Sequence, residues 1–106
     1  MKTAITARSG NLSAQLDPRF GRCAYFCVLD EDTRDVEFIE NKQAEANSGA
    51  GTKAAEKMVE LGVQKVVSGD FGPKAKSLLD KFNIQLVVMN DDHKSLSEII
   101  ETLIQK

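Results

Sequence analysis

The segment Gln64–Met89, QKVVSGDFGPKAKSLLDKFNIQLVVM, determines the architecture that the sequence predicts. Its two apolar ends, Gln64–Ser68 and Ile84–Met89, predict short buried strands. The residues between them predict a helix near 74–82, because apolar side chains recur there at helical spacing. These are Ala75, Leu78, Leu79 and Phe82, and we expect the helix to bury them. A strand, a helix and a second strand in this order predict a right-handed crossover between parallel strands.

Turn-forming residues mark the ends of the predicted helices. The run Gly69-Asp70-Phe71-Gly72-Pro73 predicts a turn, and Pro73 is suited to the first position of the following helix. Asn83 is suited to the left-handed conformation that often follows a helix, and Gly62 is predicted to stop the preceding helix.

The N-terminal half predicts three more strands. Lys2–Ala7 is the first, while Ala24–Asp30 and Asp35–Glu40 flank a polar turn and predict a hairpin. Two further helices are predicted from apolar residues at helical spacing, near 52–61 and 94–104.

The element order β-β-β-α-β-α-β-α predicts an α/β fold with one mixed five-stranded sheet, in which strand 2 runs antiparallel to the other strands. The loops after strands 1, 3 and 4 then leave the same edge of the sheet. These loops are Arg8–Cys23, Asn41–Gly51 and Gly69–Gly72. Ligands bind at this edge in open sheets, and two of the loops lead into helix N-termini, which favour anions. We therefore predict one anion site where the three loops meet.

Length and composition predict a single domain over 1–106. The chain is 42% hydrophobic and 28% charged, as in ordinary soluble globular proteins. Its formal net charge of −2 argues against a general nucleic-acid-binding surface. No apolar run is long enough to span a membrane, and the N-terminus lacks a signal-peptide pattern, so we expect a cytoplasmic protein.

The loop DPRFGRC, Asp17–Cys23, carries the strongest chemical signal. Arg19 and Arg22 offer forked donors that stay charged at physiological pH, and Gly21 lets the backbone approach a ligand closely. Such a loop is suited to an anion, although its residues alone do not identify which anion.

The two cysteines are interpreted mainly as small apolar residues of a strand. Cys23 and Cys27 are four residues apart in the predicted strand, so they are expected on one face and about 13 Å apart. A disulfide needs a Cα separation of about 4.4 to 6.8 Å. We therefore expect neither a disulfide between them nor a shared metal atom.

Other functional motifs have weaker support. The run Gly49–Ala54 loosely matches a dinucleotide-binding pattern but follows a long polar loop, and the order Gly51-Thr52-Lys53 excludes a Walker loop. A nuclease with two metal ions needs clustered carboxylates, and strand 1 (KTAITA) has none. We interpret His93 as a surface residue and Asp70 as a residue that stabilises its turn.

Three signatures occur in order along the chain. They are Pro18–Arg22 followed by Tyr25-Phe26, then Gly49–Gly51 at the start of a helix, then Val66–Ala75. Together they resemble the dinitrogenase iron–molybdenum cofactor biosynthesis family, with its NifX-type and NifB C-terminal-type domains. The resemblance covers nearly the whole chain.

The resemblance implies a ribonuclease H-like three-layer fold with strand order 3-2-1-4-5. It implies a small accessory protein, not an enzyme, that carries an iron–sulfur or molybdenum-containing cluster, including molybdenum–copper sulfide. It also implies partners that donate or accept metalloclusters, and transient binding, so that protein made in a foreign host lacks the cluster. We expect a monomer or a weak dimer.

The chain departs from some cluster-carrying members at Arg19, where they have a histidine before Phe-Gly. This leaves non-covalent anion binding or thiolate ligation by Cys23. The expected binding residues are Arg19, Phe20, Gly21, Arg22, Ser48, Gly49, Gly51, Gly69, Asp70 and Gly72. The alternative is an interaction or regulatory module that binds a protein or a small anionic ligand at the same edge.

Overall fold

The computed structural model describes residues 1–90 and 93–104. The helices and strands follow the predicted order. They are β1 (Lys2–Ala7), β2 (Tyr25–Asp30), β3 (Val36–Glu40), α1 (Ala50–Leu61), β4 (Lys65–Ser68), α2 (Pro73–Lys81), β5 (Gln85–Val88) and α3 (Leu96–Ile104). No helix in the described part of the chain has the length and hydrophobicity needed to cross a membrane.

The five strands form one mixed sheet in the order β3-β2-β1-β4-β5, which confirms the predicted fold class. β2 is antiparallel to β1 and β3, whereas β1, β4 and β5 are parallel. Ile5 in the central strand lies opposite Cys27 on one side and Val67 on the other. The carboxyl ends of β1, β3 and β4 therefore share one edge of the sheet, as predicted.

The sheet separates two apolar cores, because successive side chains of a strand point to opposite faces. On one face Ala4 and Val66 belong to a core with Met58 of α1 and Leu79 of α2. On the other face the core includes three residues of α3 and neighbouring strand residues, namely Leu96, Ile99, Ile100, Ile5, Leu29 and Val67. The helices thus cover both faces of the sheet.

The helix boundaries differ from the predictions by one or two residues. α1 begins at Ala50, earlier than predicted, because Gly49 has a left-handed conformation that ends the loop. α3 begins at Leu96 because the Ser95 hydroxyl accepts from the Glu98 amide and the Glu98 carboxylate accepts from the Ser95 amide. The burial predicted for Phe82 is wrong, since this residue lies after the last turn of α2 and is 49% exposed.

The two cysteines lie in different cores, so the predicted common face is wrong. Cys23 precedes the first residue of β2 and belongs to the core under α1 and α2. Cys27 is in β2 and belongs to the core under α3. Both are free thiols.

The left-handed positions after α1 and α2 are confirmed at Gly62 (φ 74°) and Asn83 (φ 60°). Replacing Gly62 with Ala should lower the free energy of unfolding by about 1 to 2 kcal/mol, because a Cβ disfavours this conformation. A Cβ at this position would meet no atom within 4 Å, so the cost is conformational. Denaturant unfolding measures it, and Gly62→Asn should recover part of the loss. Equal stability of Gly62→Ala and wild type would contradict this explanation.

Candidate functional site

A groove of about 460 Å³ lies at the carboxyl edge of the parallel strands. Residues 19–22, here called the arginine segment, and the first turns of α1 and α2 line it. Its lining residues are Arg19, Phe20, Gly21, Arg22, Gly49, Ala50, Gly51, Thr52, Asp70, Phe71, Gly72, Pro73, Lys74 and Ala75.

Phe20 anchors the arginine segment on the sheet. Its side chain is 1% exposed, and its ring centroid lies 5.4 Å from that of Phe71 and 6.0 Å from that of Phe26. The Phe20 amide donates to the Asp70 carbonyl at 3.1 Å. An apolar ring and one backbone hydrogen bond therefore hold the 19–22 segment against the turn after β4.

Gly21 packs the same segment against the start of α1. A Cβ added at Gly21 would lie 2.6 Å from the amide nitrogen of Gly51 and 2.9 Å from the carbonyl carbon of Ala50. Gly69 meets a similar limit, because its Cβ would lie 2.7 Å from the Cβ of Pro18. In this structure these two glycines allow close packing between segments of the chain.

Two helix N-termini open onto the groove. Gly49 and Gly72 precede α1 and α2 with positive φ, and neither helix has a side-chain N-cap or an acidic residue in its first turn. A Cβ added at Gly51 would lie only 3.5 Å from that of Ala75, so the two first turns adjoin. Helix N-termini favour anions through their amide groups and their dipoles.

The amide donors at both helix starts are unpaired within the described chain. The amides of Ala50, Gly51 and Thr52 in α1, and of Lys74 and Ala75 in α2, donate to no acceptor in residues 1–90 or 93–104. Pro73 has no amide hydrogen, so it leaves no orphan donor there. An anion in the groove would meet donors from both helices.

Arg19 is held by a buried carboxylate. Asp17, 3% exposed, accepts from the Arg19 amide at 3.0 Å, from Nε at 3.2 Å and from Nη2 at 3.1 Å. The hydrogen bond to Asp17, followed by its charge, raises the pKa of Arg19. The Arg19 side chain is nevertheless 64% exposed, so its orientation is fixed while its outer edge stays accessible.

Arg22 and Asp70 also have partners in this structure. Arg22 donates through Nη1 to the carbonyls of Ala44 at 3.0 Å and Ala46 at 2.5 Å. Asp70 accepts from the Gly72 amide at 3.3 Å, in agreement with the turn-stabilising role expected for it. The lining side chains carry three positive charges, on Arg19, Arg22 and Lys74, and one negative charge on Asp70.

The structure brings together eight of the ten residues expected to bind the ligand. Ser48 and Gly69 do not line the groove, and Gly69 packs on Pro18 instead. Sequence reasoning did not name six lining residues, which are Ala50, Thr52, Phe71, Pro73, Lys74 and Ala75. Most belong to helix first turns, and the preference of helix N-termini for anions could have identified them. His93, which we interpret from the sequence as a surface residue, is exposed in the structure.

Cys23 lies beneath the groove and does not line it. Its thiol is fully buried and donates to the Phe20 carbonyl at 3.3 Å. Burial, followed by the nearby charge of Asp17, raises the pKa of Cys23 to about 12. Thiolate ligation by Cys23 stays a prediction, and it would require the loss of the thiol proton and of its hydrogen bond to the Phe20 carbonyl.

The donor set of the groove favours an anion over a bare metal ion. In the described ranges, no group of three or more His, Cys, Asp or Glu side chains could hold a metal ion. Amide groups and guanidinium groups are instead suited to the outer atoms of an anionic species.

Comparison with known proteins gives a consistent result. The sequence model of the dinitrogenase iron-molybdenum cofactor family matches residues 1–106. An uncharacterised protein of Methanocaldococcus jannaschii is 29% identical over 108 residues, which cover 99% of this chain and 86% of that protein.

Two solved structures are similar throughout. The apo form of the orange protein from Desulfovibrio gigas has a TM-score of 0.89 at 29% identity, covering 97% of this chain and 86% of that chain. A Thermotoga protein provisionally assigned as NifB, solved by NMR, has a TM-score of 0.81 at 25% identity. That match covers 96% of this chain and 85% of the other.

The contact between Gly21 and α1 predicts different costs for two neighbouring substitutions. Gly21→Ala should lower the free energy of unfolding by about 1 to 3 kcal/mol, because the new methyl group meets backbone atoms that cannot rotate away. Gly51→Ala is the matched control, since Gly51 is helical and its added Cβ would make an ordinary 3.5 Å contact with the Cβ of Ala75 in α2. Denaturant unfolding compares the two variants, and Gly51→Ala should be at least as stable as wild type. The packing role of Gly21 is contradicted if Gly21→Ala is as stable as wild type.

Both thiols should resist alkylation in the folded protein at pH 8. Burial raises the pKa of Cys23 and of Cys27 to about 12 each, so roughly one thiol in ten thousand is ionised at that pH. Mass spectrometry after iodoacetamide treatment should detect no modification of folded protein and two modifications in guanidinium chloride. Rapid labelling of Cys23 in folded protein would show that its thiol reaches the groove.

Proposed function

Because the chain belongs to the dinitrogenase iron-molybdenum cofactor family, we propose that it binds and carries an anionic iron–sulfur or molybdenum-containing metallocluster. The observation that carries this proposal is the groove in which two helix N-termini without side-chain caps face the arginine segment. The cluster is the cargo of the protein and is passed on intact.

Backbone amides suit such a cargo. A sulfide-bridged cluster presents several anionic sulfur or oxygen atoms in different directions, and the first turns of α1 and α2 offer unpaired donors from two directions. Hydrogen bonds to a charged acceptor are worth about 1.5 to 3 kcal/mol each. Several of them can retain a cluster without a covalent bond, so the same site can release it.

The charged side chains supply the long-range attraction. The chain has a net charge of −2, yet the charged lining side chains together with Asp17, the ion-pair partner of Arg19, sum to +1, from Arg19, Arg22 and Lys74 less Asp70 and Asp17. Asp17 fixes the orientation of Arg19 before any ligand arrives, so less conformational entropy is lost on binding. The oriented guanidinium of Arg19 and the positive charge of the lining side chains therefore both favour an anion.

The comparisons support this proposal in general terms. The Desulfovibrio gigas orange protein is described in an apo form, which implies that this relative also exists with a bound group. The Thermotoga relative is provisionally assigned as a NifB protein. By analogy, the partners of this chain are proteins that donate or accept metalloclusters.

Direct ligation by Cys23 is a second form of the same proposal. A thiolate below the groove would give a covalent metal–sulfur bond and slow release. The raised pKa of this thiol and its hydrogen bond to the Phe20 carbonyl both oppose ionisation, so we favour non-covalent binding as the main contribution. Cys23→Ser and Cys27→Ser distinguish the two forms, because only the first loses cluster retention if ligation occurs.

The decisive experiment is anaerobic titration of the purified protein with tetrathiomolybdate or a reconstituted iron–molybdenum–sulfur cluster. The double variant Arg19→Ala/Arg22→Ala should stay folded and bind at least about tenfold more weakly, because it loses charge-assisted hydrogen bonds. The double variant Lys2→Ala/Lys81→Ala removes equal charge at exposed positions near the opposite edge and should bind like wild type.

Two outcomes would contradict the proposal. Arginine variants that bind as tightly as wild type would show that the cluster lies elsewhere. If inorganic phosphate or a small carboxylate binds more tightly than any cluster, the groove serves a small anionic metabolite. Metal analysis and visible absorption of protein purified anaerobically from its own host give an independent measurement of the cargo.

A further inference from the structure

Asn41, the residue directly after β3, is one of the buried polar residues of the structure. It is 8% exposed, and its side-chain amide donates to the carbonyls of Gly21 at 3.0 Å and Cys23 at 2.9 Å. Its own backbone amide donates to the carbonyl of Ala24 at 2.9 Å. Asn41 therefore joins the end of β3 to the backbone of the arginine segment from beneath.

The same residue organises the turn that follows it. The side-chain oxygen of Asn41 accepts from the Gln43 amide at 3.2 Å, and its carbonyl accepts from the Ala44 amide at 3.3 Å. The Ala46 amide then donates to the Gln43 carbonyl at 3.0 Å. These bonds set the direction of the carbonyls of Ala44 and Ala46, which are the acceptors of the Arg22 guanidinium.

Arg22 uses only one of its nitrogens in this contact. Both hydrogen bonds come from Nη1, while Nε and Nη2 donate to no acceptor within the described ranges. Arg22 also lines the groove, whereas Asn41 does not. One end of the guanidinium is thus fixed on the 41–46 turn, and its other donors remain for a ligand.

We propose that Asn41 is a positioning residue that acts through Arg22. It holds the 41–46 turn in the conformation that orients the Arg22 guanidinium toward the groove. A free arginine side chain loses rotamer entropy when it is immobilised, and an arginine already oriented loses less of it on binding. This inference deepens the proposed function and rests on it for the ligand, but its structural part is independent of any ligand.

The first test needs no ligand. Relaxation of ¹⁵N at Nε should show an ordered Arg22 side chain in the wild-type protein and a mobile one in Asn41→Ala. Asn47→Ala is the matched control, because this residue is exposed in the same loop, and it should leave Arg22 ordered. Equal order of Arg22 in wild type and Asn41→Ala overturns the inference, whether or not any cluster binds.

The second test is a double-mutant cycle with tetrathiomolybdate. Asn41→Ala should weaken binding about fivefold in the wild-type background, but less than about twofold when Arg22 is already Ala, because residues acting through one contact are not additive. A fivefold loss in both backgrounds would show a general structural role and overturn the inference.

Arg22→Lys covers the case in which Asn41→Ala does not fold. Lysine keeps the positive charge but lacks the planar fork that can contact the turn carbonyls and a ligand together. It should therefore bind tetrathiomolybdate nearly as weakly as Arg22→Ala. Lysine binding as tightly as arginine would overturn the inference. Failure of wild type to bind any cluster would instead contradict the proposed function, and the relaxation measurement alone would then decide the role of Asn41.

Discussion

The burial of Phe20 is the constraint from which the rest of the site follows. Its ring packs between Phe26 of the sheet and Phe71 of the turn after β4, so the preceding and following arginines must lie at the edge of the sheet. Once Phe20 is seated, Gly21 meets the first turn of α1 at a distance that excludes a side chain. The Phe20 ring and the absence of a side chain at Gly21 thus bring the arginine segment together with the turn after β4 and the first turn of α1.

The sheet and its helices could be predicted from the sequence because apolar residues recur in each strand and helix at the spacing typical of that element. The valine-rich runs around Val67 and Val87 and the helical spacing of Ala75 and Leu79 leave few alternatives. The turn residues Gly62, Pro73 and Asn83 also predict the helix ends that the structure has. These patterns are local to each strand, helix or turn. The rule that crossovers between parallel strands are right-handed then gives the topology of the sheet.

The details of the site were less predictable, because they depend on irregular backbone. Extending the strand alternation from Cys27 back to Cys23 predicts the same face for both residues. This is wrong because β2 begins only at Tyr25, so Cys23 lies outside the strand. The partners of Arg22 are carbonyls of a turn in which Asn41 accepts from the amides of Gln43 and Ala44. Neither the start of β2 nor the partners of Arg22 correspond to a pattern in the sequence. The preference of this sheet edge for anions, in contrast, follows from the helix N-termini that lie there.

The glycine N-caps of α1 and α2 leave the first-turn amides open to a ligand at little cost in stability. A serine or aspartate N-cap is worth about 1 kcal/mol over alanine, but only roughly a few tenths of a kcal/mol over glycine. Gly49 and Gly72 also have positive φ, a conformation in which any other side chain is strained. A side-chain cap at either position would therefore add little stability, and its oxygen would occupy the amide donors of the groove. Unpaired donors and a stable domain are compatible here because glycine meets both requirements.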